Sequence, residues 1–99
     1  MDINKLMANA QAMQKQMERA SEEMNKTEFT GTASNGLVKV AMTGDFKVKS
    51  VNISADIMSK DDKEMVEDLI AIAFNEALGK IEERKNELLN VMAKKMSIR

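Results

Sequence analysis

Asn35-Gly36, set between two runs of alternating apolar and polar residues, constrains this chain more than any other feature of it. Both central residues of a type I′ hairpin turn need positive φ, which Asn and Gly adopt at least cost. Phe29, Gly31 and Ala33 alternate with Glu28, Thr30, Thr32 and Ser34 before the turn, and Leu37 to Met42 follow it. A two-residue loop therefore fixes a register: Ser34 faces Leu37, Ala33 faces Val38, Gly31 faces Val40 and Phe29 faces Met42. Every residue of the last three pairs is apolar or glycine, and all share one face of the ribbon. The hairpin is self-consistent.

A second turn at Gly44-Asp45 leads to a third strand, Phe46 to Ile53. Its alternation slips, because Phe46 and Val48 have one parity and Val51 and Ile53 the other. A bulge near Lys49-Ser50 reconciles them; a longer loop without a bulge is the alternative. With the bulge, Phe46 and Val48 are expected beside Leu37 and Ala41, on the sheet face away from the covering helix. Two apolar faces on one small sheet call for a partner. Leu37, Ala41, Phe46 and Val48 are thus the expected dimer contacts.

Helical spacing flanks the sheet on both sides. Ile3, Leu6, Ala10, Met13, Met17, Ala20 and Met24 recur in steps of three and four, with neither Gly nor Pro before Gly31. This predicts a helix over about residues 3–26, roughly 36 Å long at 1.5 Å per residue. The stripe is as narrow as a coiled-coil seam, so the helix is buried on one side only and projects from the body. After the connector Asp56-Ile57-Met58, Ser59 and Asp62 have the spacing of a capping box. Asp61, Asp62, Glu64, Glu67 and Asp68 crowd the following turns, where the helix dipole favours negative charge. Apolar residues surround the axis from Met65 to Leu78, then narrow beyond Gly79 to Ile81, Leu88, Met92 and Met96. The second helix starts in the core and ends as another arm. Gly31 is expected to bend its strand, and Gly79 to mark a close helix–helix approach or a slight hinge.

Composition removes whole classes of function. Among 99 residues there is no Cys, His, Trp or Tyr, which excludes thiolate chemistry and the commonest metal ligand. The serines have no histidine to activate them, and the acidic cluster lacks the spacing of a calcium loop. No enzyme activity, metal, cofactor or small-molecule substrate is expected. No apolar run approaches the roughly 18 residues of a membrane span, and Met-Asp-Ile-Asn-Lys does not open like a signal peptide. A cytoplasmic location away from membranes follows.

The formal charge of −1 conceals a polarised chain. Residues 55–79 set Lys60 and Lys63 against seven carboxylates, whereas residues 80–99 set six basic groups against three acids. The C-terminal end is the basic pole. Two readings fit it. One is a solvated face of ion pairs, with Glu82 reaching Lys85 and Glu83 flanking them. The other is a phosphate-binding surface on the arms, to which the acidic block at residues 56–68 confines DNA by repelling it elsewhere.

The order helix, hairpin, strand and long helix, with Gly31 and then Asn35-Gly36-Leu37-Val38-Lys39-Val40, resembles the YbaB/EbfC family of bacterial nucleoid-associated proteins. So do Met42-Thr43-Gly44, the string Asp61-Asp62-Lys63-Glu64-Met65-Val66-Glu67-Asp68-Leu69-Ile70, and Ala73-Phe74-Asn75-Glu76-Ala77. The Met/Gln-rich first helix also fits, and the likeness covers nearly the whole chain. It departs from the family at Ile53-Ser54-Ala55-Asp56-Ile57-Met58, where the usual proline is missing, and in having no Gly/Pro-rich tail.

The resemblance implies a homodimer with protruding paired helices that binds double-stranded DNA in the nucleoid. It points to Lys5, Lys15 and Arg19 on the first helix and Lys85, Lys94, Lys95 and Arg99 on the last. The expected fold is a single α+β domain over 1–99: an α-β-β-β-α order with a helix over 1–27, a three-stranded antiparallel meander over 28–54 and a long helix over 59–97. No pattern demands base readout, so weak sequence preference is expected. The competing reading is a protein-interaction adaptor whose Met-lined helices dock a partner helix without binding DNA.

Overall fold

A computed structural model describes residues 2–96. Helix α1 (Ile3–Lys26) is followed by strands β1 (Glu28–Ala33), β2 (Val38–Thr43) and β3 (Val48–Ile53), and then by helix α2 (Lys63–Met96). The sheet is an antiparallel meander of order β1-β2-β3. The whole measures 72 × 22 × 16 Å, because both helices outrun the sheet they flank.

The hairpin register is the expected one: Phe29 faces Met42, Gly31 faces Val40 and Ala33 faces Val38. Asn35 and Gly36 both have positive φ, 56° and 90°, and the Leu37 amide donates to the Ser34 carbonyl at 3.3 Å. The bulge is also present. Ala41 faces Ser50 while Met42 faces Val48, which leaves Lys49 as the extra residue.

The bulge corrects the expected faces. Directly opposed residues point to the same side of a sheet, so Val48 lies with Met42, and Val51 with Val40, on the side that α2 covers. An extra residue brings both parities to one face; it does not divide them between two. The opposite face carries Thr30, Thr32, Lys39, Ala41, Ser50 and Asn52 and is mostly polar. Phe46 also lies on the α2 side, and Leu37 packs against the core. Of the four expected dimer contacts, only Ala41 is on the far face.

The core forms where Leu69, Ala73, Ala77 and Ile81 of α2, one stripe at four-residue spacing, lie on Ala33, Val38, Val40 and Met42. Gly31 is not a bend but a close approach: a Cβ there would stand 1.9 Å from the Ala73 carbonyl oxygen and 2.7 Å from the Ala77 nitrogen. Helix α2 packs mainly across β1 and β2. It leaves Val48 and Val51 of β3 exposed at 50% and 45%, with Phe46 at 52% beside them.

Helix α2 begins more gradually than a capping box would give. Ala55–Ile57 and Lys60–Asp62 form short 3₁₀ turns, the first capped by the Ser54 hydroxyl accepting from the Asp56 amide at 3.3 Å. The Ser59 hydroxyl donates to the Asp62 carboxylate at 2.8 Å rather than capping a backbone amide. At Gly79 an added Cβ would meet nothing within 4 Å, and α2 runs unbroken through it, so this subunit shows neither close approach nor hinge there.

Candidate nucleic-acid interface

Helix α1 is tied down at one end only. The Asp2 carboxylate caps its start, accepting from the Asn4 amide at 3.1 Å. At its end the Thr27 hydroxyl donates to the Glu23 carbonyl at 2.6 Å, and the Gly44 amide donates to the Thr27 carbonyl at 3.1 Å. The β2–β3 turn thus clamps the base of the arm, and Gly44 has no room for a side chain: a Cβ would lie 2.0 Å from the Met24 carbonyl oxygen. The Thr43 hydroxyl donates to Asp45 in the same turn, and that bond, aided by Lys47 at 3.8 Å, holds the Asp45 carboxyl below its usual value.

Beyond this base α1 runs antiparallel to the far half of α2. Ala20 and Met24 meet Arg84 and Leu88, and further out Met17 and Ala20 meet Leu88, Leu89 and Met92. The contact is the narrow apolar seam expected from the stripe. Of α1 only Met24 is fully buried, and Ile3, Leu6 and Met7 near its free end are exposed.

The cations of α1 lie elsewhere on the cylinder. At about 100° per residue, Lys5, Lys15, Arg19 and Lys26 fall within an arc of about 80°, roughly opposite the apolar stripe. All four are exposed. Lys26 had not been singled out, yet it shares the phase of the other three. Residues 3–17 contain no acid, so the distal part of this face is uniformly positive.

The cations of α2 are less uniform. Lys85 stands with its Nζ 4.0 Å from the centroid of the Phe46 ring, a cation–π contact in place of the expected pairing with Glu82. Such a contact contributes about 0.5–1 kcal/mol at an exposed site, little enough for a phosphate to compete. Arg84 pairs instead with Glu87 at 3.1 Å. Lys94 and Lys95 are exposed near the tip, and no ion pair among the described residues engages them or Lys5, Lys15 and Arg19. Arg99 and the side chain of Met96 lie outside the described residues.

The two sheet edges differ as well. Along the free edge of β1 the Thr32 amide donates to Glu76 at 3.4 Å and Lys80 donates to the Thr30 carbonyl at 2.8 Å, so an ion pair of α2 occupies it. Strand β3 has no such cover, and its edge adjoins the exposed Phe46, Val48 and Val51. No group of side chains that could hold a metal ion occurs among the described residues, and no described helix is long and apolar enough to cross a membrane.

Comparison with known proteins places the chain in a defined group. Residues 1–96 match the family described as the YbaB/EbfC DNA-binding family. A nucleoid-associated protein of Francisella tularensis subsp. holarctica is 48% identical over 99 residues, covering 98% of this chain and 88% of its own. A nucleoid-associated protein of Francisella philomiragia is 46% identical over 98 residues, covering 98% and 87%. Among solved structures, the uncharacterized protein HP0035 from Helicobacter pylori superposes with a TM-score of 0.76 at 24% identity, over 94% of this chain and 98% of that one. That likeness is one of fold.

Proposed function

This chain belongs to the YbaB/EbfC DNA-binding family, and from that premise we propose that it binds double-stranded DNA in the bacterial nucleoid, with little sequence preference, through the outer faces of its helical arms. The observation that carries the reading is the single exposed arc of Lys5, Lys15, Arg19 and Lys26 on a projecting helix. Lys94 and Lys95 extend the positive surface along α2, and Lys85 joins it when it leaves Phe46. Long cationic side chains on a regular helix suit phosphates, which position a protein without reading sequence. The relatives' shared name, nucleoid-associated protein, supports a location in the nucleoid. The role is one of binding, not catalysis.

Charge separation makes this workable in a chain of net charge −1. Along α2, Asp68 and Lys94 are about 39 Å apart at 1.5 Å per residue. At physiological salt, charges beyond about 8 Å are largely screened. The acidic start of α2 therefore costs the arms little and keeps DNA away from the body.

We further read the protein as a homodimer joined on the β3 side, where Phe46, Val48 and Val51 are exposed and the strand edge is uncovered. Leu37 and Ala41 do not belong to that patch. One observation favours the adaptor reading instead: Ile3, Leu6 and Met7 form an exposed apolar strip at the free, N-terminal end of α1, able to receive a partner helix.

Salt separates the two. Affinity for random and defined duplexes, measured by anisotropy from 50 to 200 mM salt, should fall with a slope of about −0.9 per phosphate neutralised. Replacing Lys5, Lys15 and Arg19 with Gln should flatten that slope by about three for each arm in contact and leave the oligomeric state unchanged. An unchanged slope would remove α1 from the interface, and salt-insensitive binding would favour the adaptor.

A further inference from the structure

The arm seam is built from thioethers. Met17 and Met92, with Ala20, Leu88 and Leu89, line a hollow of ≈ 210 Å³ between α1 and α2. Met17 is 42% exposed, whereas Met24 and Met42 in the core are 5% exposed. With no Cys, His, Trp or Tyr in the chain, methionine is the side chain an oxidant meets first. We propose that the seam methionines, Met17 foremost with Met13 and Met92, are an oxidation-sensitive modification site that sets whether the arm is closed. The effect on DNA rests on the binding reading above; the opening of the arm does not.

The chemistry is a two-electron oxygen transfer from a peroxide. One oxygen of hydrogen peroxide bonds to the thioether Sδ, the O–O bond breaks, sulfur is oxidised to the sulfoxide, and the peroxide is reduced to water. The product is polar and needs a hydrogen-bond donor. Of the residues that line the hollow, Ser21 and Lys85 carry donors, and the rest are apolar. The sulfoxide reaches a donor by turning to Ser21, Lys85 or water, which takes it off the apolar surface of Leu88, Leu89 and Met92. Burying its oxygen without a donor is the costly alternative.

Why this moves the arm and spares the body follows from how each is held. Beyond Met24 the partly covered residues of α1 are Met13 and Ala20, and its attachment is the clamp at Thr27 and Gly44. The body is held by Leu69, Ala73, Ala77 and Ile81 on the sheet, and the methionines within that core, Met24 and Met42, are shielded, whereas Met58 and Met65 are exposed at its surface and take no part in that packing. Oxidation thus alters the spacing of the two cationic helices within an otherwise folded subunit. Because sulfoxides are enzymatically reducible, the change is reversible.

The test uses the full chain treated with hydrogen peroxide, with sulfoxides mapped by mass spectrometry. Met17 is expected to oxidise well before Met24 and Met42. Duplex affinity is expected to fall at least fivefold and to return after methionine sulfoxide reductase. A Met13→Leu/Met17→Leu/Met92→Leu variant should stay within twofold after the same treatment, and Met58→Leu/Met65→Leu, altered outside the arm, should lose affinity as the unaltered chain does. Maleimide-linked dyes at Asn9→Cys and Asn90→Cys report the arm without DNA, and energy transfer between them should drop on oxidation. Transfer that is unchanged when Met17 is fully oxidised overturns the proposal, as does equal loss of affinity in the leucine variant. If the unoxidised chain binds no duplex, the DNA reading fails and the dyes alone decide the arm.

Discussion

Replacing Gly31 with Ala tests whether β1 and α2 are in backbone contact. The added Cβ would stand 1.9 Å from the Ala73 carbonyl oxygen and 2.7 Å from the Ala77 nitrogen. Both are backbone atoms of a helix interior, so no rotamer change relieves the overlap. Ordinary contact begins near 3.4 Å, so α2 must lift by about 1.5 Å or β1 must sink by as much. Either shift loosens Leu69, Ala73, Ala77 and Ile81 from the sheet together. Overpacking usually costs 1–3 kcal/mol, and a clash between two backbones belongs at the top of that range. Ala recovers up to about 1 kcal/mol through the lower entropy of the unfolded chain. The expected net loss is about 2–3 kcal/mol, a large share of the 5–15 kcal/mol typical of a domain. Urea unfolding followed by circular dichroism, at one protein concentration so that any dimer dissociation is held constant, reads this as a lower midpoint. Gly36→Ala is the control: its φ of 90° strains any side chain but nothing lies within 4 Å, so about 1–2 kcal/mol is expected from conformation alone. If Gly31→Ala changes stability by less than 0.5 kcal/mol, the close approach is not what the glycine serves.

Three further outcomes follow from single contacts. Gly79→Ala should raise the unfolding midpoint by the equivalent of about 0.5–1 kcal/mol, since Ala is the better helix former and the site is open; a fall would mean that a second copy approaches α2 there. Phe46, held at φ 65°, should be nearly neutral for subunit stability when replaced by Gly, because relief of about 1–2 kcal/mol of backbone strain offsets the lost ring and its contact with Lys85. The same change should weaken self-association in sedimentation if β3 forms the dimer contact. Glu76→Ala with Lys80→Ala uncovers the edge of β1 and should promote aggregation, read as scattering that rises with concentration, because an unpaired strand edge templates another.

The parts of this fold that the sequence makes legible are those set by neighbours along the chain. Helix α1 could be bounded because its stripe is narrow and unbroken, and the hairpin because Asn35-Gly36 leaves few alternatives. The bulge at Lys49 was legible from the slip in parity, but its consequence was not. Which face a bulged residue joins depends on pairing with Met42 across the sheet, and that pairing returns Val48 to the α2 side. The close approach at Gly31 and the neighbour of Lys85 are not legible along the chain, for one shared reason. Each meets a residue distant in sequence, Ala73 for the first and Phe46 for the second. A local pattern cannot hold that information.

The cations of α1 make the opposite case. Their shared face follows from spacing alone, yet it acquires meaning only once the seam is known to lie opposite. Because α2 occupies the apolar side of α1, DNA held by Lys5, Lys15 and Arg19 lies across the outside of the arm, not between the two helices of one subunit. Lys85 and Ser21 line this hollow too, but phosphates placed in the seam would have to part Met17 and Ala20 from Leu88, which offer no donor and would lose their own burial. In the proposed dimer, a gap that encloses DNA would then lie between the two copies. A variant that covalently closes the seam, Met17→Cys with Leu88→Cys, should bind duplex within twofold of the unaltered chain; a larger loss on disulfide formation, reversed by reductant, would place the duplex inside the arm and defeat the argument.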